Sequence, residues 1–317
     1  MPRMHLLATI ALLLLAGCAG IHVTDKPVLW LHQVHPFGAT ALAYNDNGSL
    51  LATGGFYGEV RVWRMPDGVQ LHKLPGRHET VRGLVWVDDG TLIVATEDGG
   101  LIVWDVRTQR VLHRVVTAPL KAAVFMPGLQ RLITAHRDGA LRAFSYPTLE
   151  LLKERNLGAA VRALAITRDG TQLAAATGAR QVLLLDAQLH VIKTLAPPPR
   201  TVLSLRFAPD GRQLIAGTWY KLLIWDMNTG RLSVRDTEHF GAIISLDYTP
   251  DGHELVSLGR NTDSKLRITD VASGKVRNRL ASLPLCGWML QVSPDGLFVA
   301  AGSEDGSVLI YSVASSE

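Results

Sequence analysis

Short runs of apolar residues alternate with polar positions, broken by turn-forming residues, from about residue 27 to the end of the chain. The alternation has the period of two expected of β-strands with one face on a core, and helical periodicity is almost absent. In one stretch the runs fall at 202–207, 212–217, 222–225 and 232–235, which predicts four strands in one unit. Glycine-containing turns precede apolar runs at Gly48, Gly90, Gly128, Gly170, Gly211, Gly252 and Gly296, spaced 38 to 44 residues apart. Three of them read Pro-Asp-Gly, at Gly211, Gly252 and Gly296. Proline presets the first dihedral of such a turn and glycine accepts a positive φ. A second marker keeps step with the first. It reads Val62-Trp63, Val103-Trp104-Asp105, Leu184-Leu185-Asp186, Ile224-Trp225-Asp226 and Ile268-Thr269-Asp270, with weaker copies at Ala143-Phe144 and Ile310-Tyr311.

Four short strands repeated seven times predict an all-β, seven-bladed β-propeller. Over residues 27–315 the chain resembles the Trp-Asp (WD) repeat family, although its Gly-His starts are poor, with Pro75-Gly76-Arg77-His78 the nearest. The resemblance places His78, Thr96, Asp98 and Trp104 at the positions of the family's structural hydrogen-bonding tetrad. The chain ends after the third strand of the last unit. The expectation is therefore that an N-terminal strand at 28–33 completes the last blade and leaves no open sheet edge at the closure.

Before the repeats, Met1-Pro2-Arg3-Met4-His5 leads into an apolar run at 6–15. A short basic start followed by about ten apolar residues has the form of a secretory signal, since a spanning helix needs about 20. The run ends Leu15-Ala16-Gly17-Cys18, which resembles the lipobox of bacterial lipoproteins at all four positions. The resemblance implies cleavage before Cys18, a thioether diacylglycerol on its sulfur and an acylated amino group; several acyl chains anchor stably. Residue 19 is alanine and not aspartate, which in Gram-negative lipoproteins implies sorting to the outer membrane. The expected organisation is a signal peptide at 1–17, a lipidated tether at 18–26 and the propeller at 27–317. The outer strand enters at the face opposite the top, and residues 19–26 reach at most about 30 Å. The bottom face is therefore expected near the membrane and the top face toward the periplasm.

Composition narrows the chemistry. Lys+Arg 32 against Asp+Glu 28 leaves a net charge of +4, too small a bias without basic runs to propose nucleic acid as a partner. Two cysteines, Cys18 and Cys286, exclude a disulfide framework and multi-cysteine metal sites, and Cys286 is expected to be buried and inert. The 11 histidines include none on an inner strand, and His22, His32 and His35 show no zinc spacing and are expected at the surface. No haem-attachment motif or phosphate loop occurs. The expectation is no metal, no cofactor and no catalytic set.

Candidate binding residues come from aligning the units. One slot at the top of the inner strands holds Thr40, Arg82, Lys121, Arg162, Leu203, Ile244 and Trp288. Units two to four place cations there, joined by Arg137 and Arg180 in nearby turns. Units five to seven place apolar side chains, extended by Phe56, Tyr57, Trp219, Tyr220 and Phe240. The longer turn at 261–264 is expected to rise on that side. Aromatic anchors beside arginines are what protein interfaces concentrate, and the cations favour an acidic partner. A lower slot, apolar in units one to four, holds Arg206, Asp247 and Gln291 in units five to seven. These polar groups need partners if buried, and an Arg206–Asp247 bridge between neighbouring strands is expected. The functional expectation is a lipid-anchored interaction scaffold that binds an envelope protein through its top face. The alternative is a small-ligand or lactonase-like hydrolytic propeller using the central channel.

Overall fold

The computed structural model describes residues 26–76 and 78–313. The signal peptide, Cys18 and nearly all of the tether lie outside the described residues, as does His22.

Seven four-stranded antiparallel sheets follow one another along the chain, each a meander of strands a to d from the axis outward. Six sheets are built from consecutive strands. The seventh takes its outer strand from the start of the chain: Leu29–Leu31 pairs with Val308–Ser312, in the register Leu29↔Ile310 and Leu31↔Val308. The ring is thus closed by a first-to-last pairing, as expected. Gly306 turns beside this seam at φ 87°, where an added Cβ would lie 1.7 Å from the carbonyl oxygen of His35, so only glycine fits.

Alternation along the strands puts apolar side chains on both faces of every sheet, and neighbouring sheets stack through them. Seven apolar clusters result, one in each interface between blades. The interface of blades four and five buries fourteen residues around the fully buried Trp225. That of blades five and six buries only eight.

The recurrent tryptophan position on strand c also serves one backbone carbonyl, two residues past the end of the preceding strand d. That oxygen accepts a hydrogen bond from the Trp225 indole in blade five (Ala196, 2.9 Å) and from the Tyr311 hydroxyl in blade seven (Ala281, 2.9 Å). Blade six offers Thr269 at that position, and Arg267, two residues back on the same face of the strand, bonds the Glu238 oxygen instead at 2.8 Å. Blade three has Phe144, which has no donor, and His136 Nδ1 bonds the Ala118 oxygen at 2.8 Å. Four different side chains satisfy the same loop, because a buried carbonyl left unpaired is costly.

Candidate functional site

The antiparallel meander brings the starts of the a strands and the b–c turns to one rim of the ring. At that rim strand a carries a register shift in six blades, each with one extra residue between its pairs with strand b: Thr40, Arg82, Lys121, Arg162, Ile244 and Trp288. In blade five Ser204 pairs with Gly217 while the Leu203 amide bonds the same Gly217 oxygen at 2.9 Å. The aligned slot is therefore a ring of bulges, a device that re-aims a side chain out of the sheet.

The ring is uneven. Thr40 is buried and its hydroxyl donates to the Val81 oxygen at 2.8 Å, tying blade one to blade two. Arg82 Nε binds Glu97 at 3.0 Å, and Arg137 pairs with the same carboxylate. Lys121, Arg162 and Arg180 have no carboxylate partner among the described residues. Partial burial, then the charges of Arg82 and Arg162, hold the Lys121 ammonium below its usual range, so these cations share one field. Arg200, on the proline-stiffened connection Pro197-Pro198-Pro199 that enters blade five, is also exposed without an ion pair. It was not among the expected residues because no repeat position marks it. Its signal is a lone cation behind three prolines in a top-face connection.

The apolar sector separates into two groups. Trp288 meets Phe56 edge to face at 5.3 Å, and the Arg260 guanidinium lies 3.5 Å from the Trp288 ring centroid. Tyr57 contacts Phe37 at 5.7 Å and His78 at 5.6 Å. Trp219 and Tyr220 form a second pair at 5.8 Å, on the side of the exposed Phe240. Leu203 is half-buried, and Ile244 packs against the core of blades six and seven.

Several expected placements differ. His78 is exposed against Tyr57, and no hydrogen bond joins it or Trp104 to the Thr96–Asp98 pair at 2.5 Å, so the four do not form a tetrad. Trp104 packs into the core of blades one and two. The histidine role is taken elsewhere. His35, expected at the surface, is 1% exposed, and its Nε2 lies 2.7 Å from Thr53 Oγ1, which accepts from the Trp63 indole at 2.9 Å. Burial, then the charge of Arg61, pushes its imidazole down to about 4. Cys286, expected in the core, is half-exposed, with Sγ 3.9 Å from the Asn261 oxygen. The 261–264 turn does not rise freely. Asp263 folds in, 3% exposed, and accepts from His239 Nδ1 (2.7 Å), the Phe240 amide (3.0 Å) and Arg267 (3.0 Å).

His239 Nε2 in turn lies 2.8 Å from Ser257 Oγ. This Asp–His–Ser series has the connectivity of a hydrolytic triad, but all three residues are buried and Arg267 holds the carboxylate from the other side. Burial opposes ionisation of Asp263, yet the His239 hydrogen bond and the charges around it keep its carboxyl below the usual range. Burial holds His239 below its ordinary value as well. The arrangement is a fold-holding network, and His239 and Ser257 form part of the wall of a cleft between blades five and six.

Lower on the inner strands, Arg206 Nε lies 3.0 Å from Asp247, which accepts from the Val292 amide at 3.0 Å; Gln291 accepts from the Tyr44 amide at 2.8 Å. Each reaches the next blade. In blade one, Ala43 leaves room for Trp86, whose indole bonds the Ala43 oxygen at 2.9 Å. Burial raises the Asp247 carboxyl despite Arg206 beside it. Among the described residues no group of three metal-ligating side chains occurs, and no helix is long and apolar enough to cross a membrane.

Two stretches of the chain match family models. Residues 42–127 match the anaphase-promoting complex subunit 4 WD40 domain, and residues 287–312 the WD domain, G-beta repeat. The chain is 25% identical over 291 residues to Autophagy-related protein 16 of Arabidopsis thaliana, covering 89% of this chain and 49% of that protein. It is 25% identical over 248 residues to the human serine-threonine kinase receptor-associated protein, covering 77% of this chain and 69% of that protein. Telomerase protein component 1 of Mus musculus is 22% identical over 284 residues, covering 87% of this chain and 11% of that protein. The chain thus spans half or less of two of these relatives. Together with the seven sheets, the matches support a WD-repeat propeller.

Proposed function

We propose that the chain is a non-catalytic scaffold that binds an acidic protein of the cell envelope through its top rim, suspended from the outer membrane by lipid on Cys18 with that rim toward the periplasm. The observation that carries the reading is the uneven bulge ring. Lys121, Arg162 and Arg180 stand without carboxylates on one side, while Trp288, Phe56, Tyr57, Trp219 and Tyr220 stand on the other. A rigid ring that presents cations and aromatic rings on one surface suits protein recognition, with the cations steering approach and the rings supplying contact area. The lipid anchor rests on the Leu15-Ala16-Gly17-Cys18 motif alone.

Affinity capture from detergent-solubilised envelopes tests the rim, comparing wild type with Arg162→Glu/Arg180→Glu. Arg82 and Arg137 are poorer targets because both already pair with the Glu97 carboxylate. The double variant should lose partners that the wild type retains, and the wild-type complex should weaken as salt rises. Equal retention by both baits overturns the assignment of the rim. Mass spectrometry of the mature N-terminal peptide tests the anchor, and an unmodified Cys18 overturns it.

A further inference from the structure

The interface between blades five and six contains a cleft of about 450 Å³, lined by Leu222 and Arg235 of blade five and by Arg267, Thr269, Lys275 and Val276 of blade six. Its origin is a substitution within the repeat. Trp225 fills the equivalent space one interface earlier, where it is 0% exposed. Blade six has Thr269 there, and Arg267 replaces only the indole's hydrogen bond, to the Glu238 oxygen, and not its volume. A slot sized for a flat ring is left between two sheets, with Leu222 and Val276 as apolar walls.

Its charged lining holds three cations, Arg235, Arg267 and Lys275, against two carboxylates, Asp236 and Glu238. Asp236 pairs with Lys221, and Glu238 holds Arg279 at 2.7 Å, so both carboxylates at the cleft are engaged. Lys275 has no carboxylate partner among the described residues, and the hydrogen bond Arg235 makes is to the Val271 oxygen at 3.2 Å. The Arg267 Nε is buried and makes no hydrogen bond, with the nearest Glu238 carboxylate oxygen 3.9 Å away, in a side chain 5% exposed that also pairs with Asp263. Buried donors of this kind call for an acceptor. We infer that the cleft is a binding site for a small planar aromatic carboxylate, its ring in the place of the missing indole and its carboxylate on Lys275, Arg235 and Arg267. The site lies on the flank of the ring and is independent of the proposed rim.

Calorimetry and saturation-transfer NMR on the purified protein test it with three probes: indole-3-carboxylate, indole (the ring without the charge) and acetate (the charge without the ring). Indole-3-carboxylate should bind at least about tenfold more tightly than either of the others. Thr269→Trp refills the slot and should abolish binding. Lys275→Glu, an exposed change, should weaken binding at least about tenfold with an unchanged melting temperature. Absence of indole-3-carboxylate binding to the wild type, or indole binding equally well, overturns the inference. So does unchanged affinity in a cooperatively folded Thr269→Trp or in Lys275→Glu; should Thr269→Trp not fold, Lys275→Glu decides.

Discussion

The interface of blades four and five and that of blades five and six solve one problem with different materials. In both, a loop carbonyl past strand d must be satisfied and the outer half of the interface filled. Trp225 does both with one side chain, inside a cluster of fourteen buried residues. In the next interface the hydrogen bond comes from Arg267, whose charge then requires Asp263, which in turn orients His239 and Ser257. Replacing an indole by a guanidinium thus recruits three more polar residues and leaves space unfilled. An apolar donor with a single N–H closes an interface by area. A buried cation closes it only through a network in which every member depends on the others.

The sharpest way to break this contrast is to truncate each donor. Trp225→Ala should cost about 3–5 kcal/mol in urea unfolding, from the cavity and the orphaned Ala196 carbonyl. Arg267→Met keeps most of the side-chain length but strips Asp263 of its cation, and should cost about 3 kcal/mol. A loss below 1 kcal/mol would show that the network is dispensable.

Acid separates the two interfaces next. Blade five contains no histidine, whereas His239 in blade six and His35 at the ring closure are buried with imidazoles held below their ordinary value. A neutral buried histidine contributes stability that is complete above the unfolded value near 6.5 and is lost as pH falls toward the folded value, about 4 for His35. Melting temperature should therefore drop between pH 6.5 and 4, with His35 alone accounting for about 3 kcal/mol. His35→Gln or His239→Gln should flatten that slope, and an unchanged slope in both would remove the histidines from the explanation. The smallest effect belongs to the rim. Arg162→Glu/Arg180→Glu should change stability by less than about 0.5 kcal/mol, because both arginines are exposed and neither pairs with a carboxylate among the described residues.

The aligned top slot shows how far repeat spacing reaches. Counting from the turn glycines finds Arg82, Lys121, Arg162, Ile244 and Trp288, and the register shift in strand a falls at those positions. The same counting misses that Glu97 pairs with both Arg82 and Arg137, since a carboxylate fifteen residues after Arg82 becomes its neighbour only when strands a and b pair. His35 and His78 were read the wrong way round for a related reason. Burial of a loop histidine depends on whether strand b of the blade it enters offers a hydroxyl beneath it, as Thr53 does for His35. Arg200 belongs to no repeat position, so periodicity carries no information about it.

Local chemistry along the chain, with period-two alternation, glycine turns every forty or so residues and an apolar run at 28–33 ahead of the first unit, determined the seven-sheet ring and its closure, because each strand must bury one face and each edge must find a partner. The pairing of charges, the burial of Asp263 and His239, and the cleft beside Thr269 were decided only by the packed interfaces. These depend on which side chain of one blade meets which of the next, and two residues about forty positions apart share no local signal until the sheets stack.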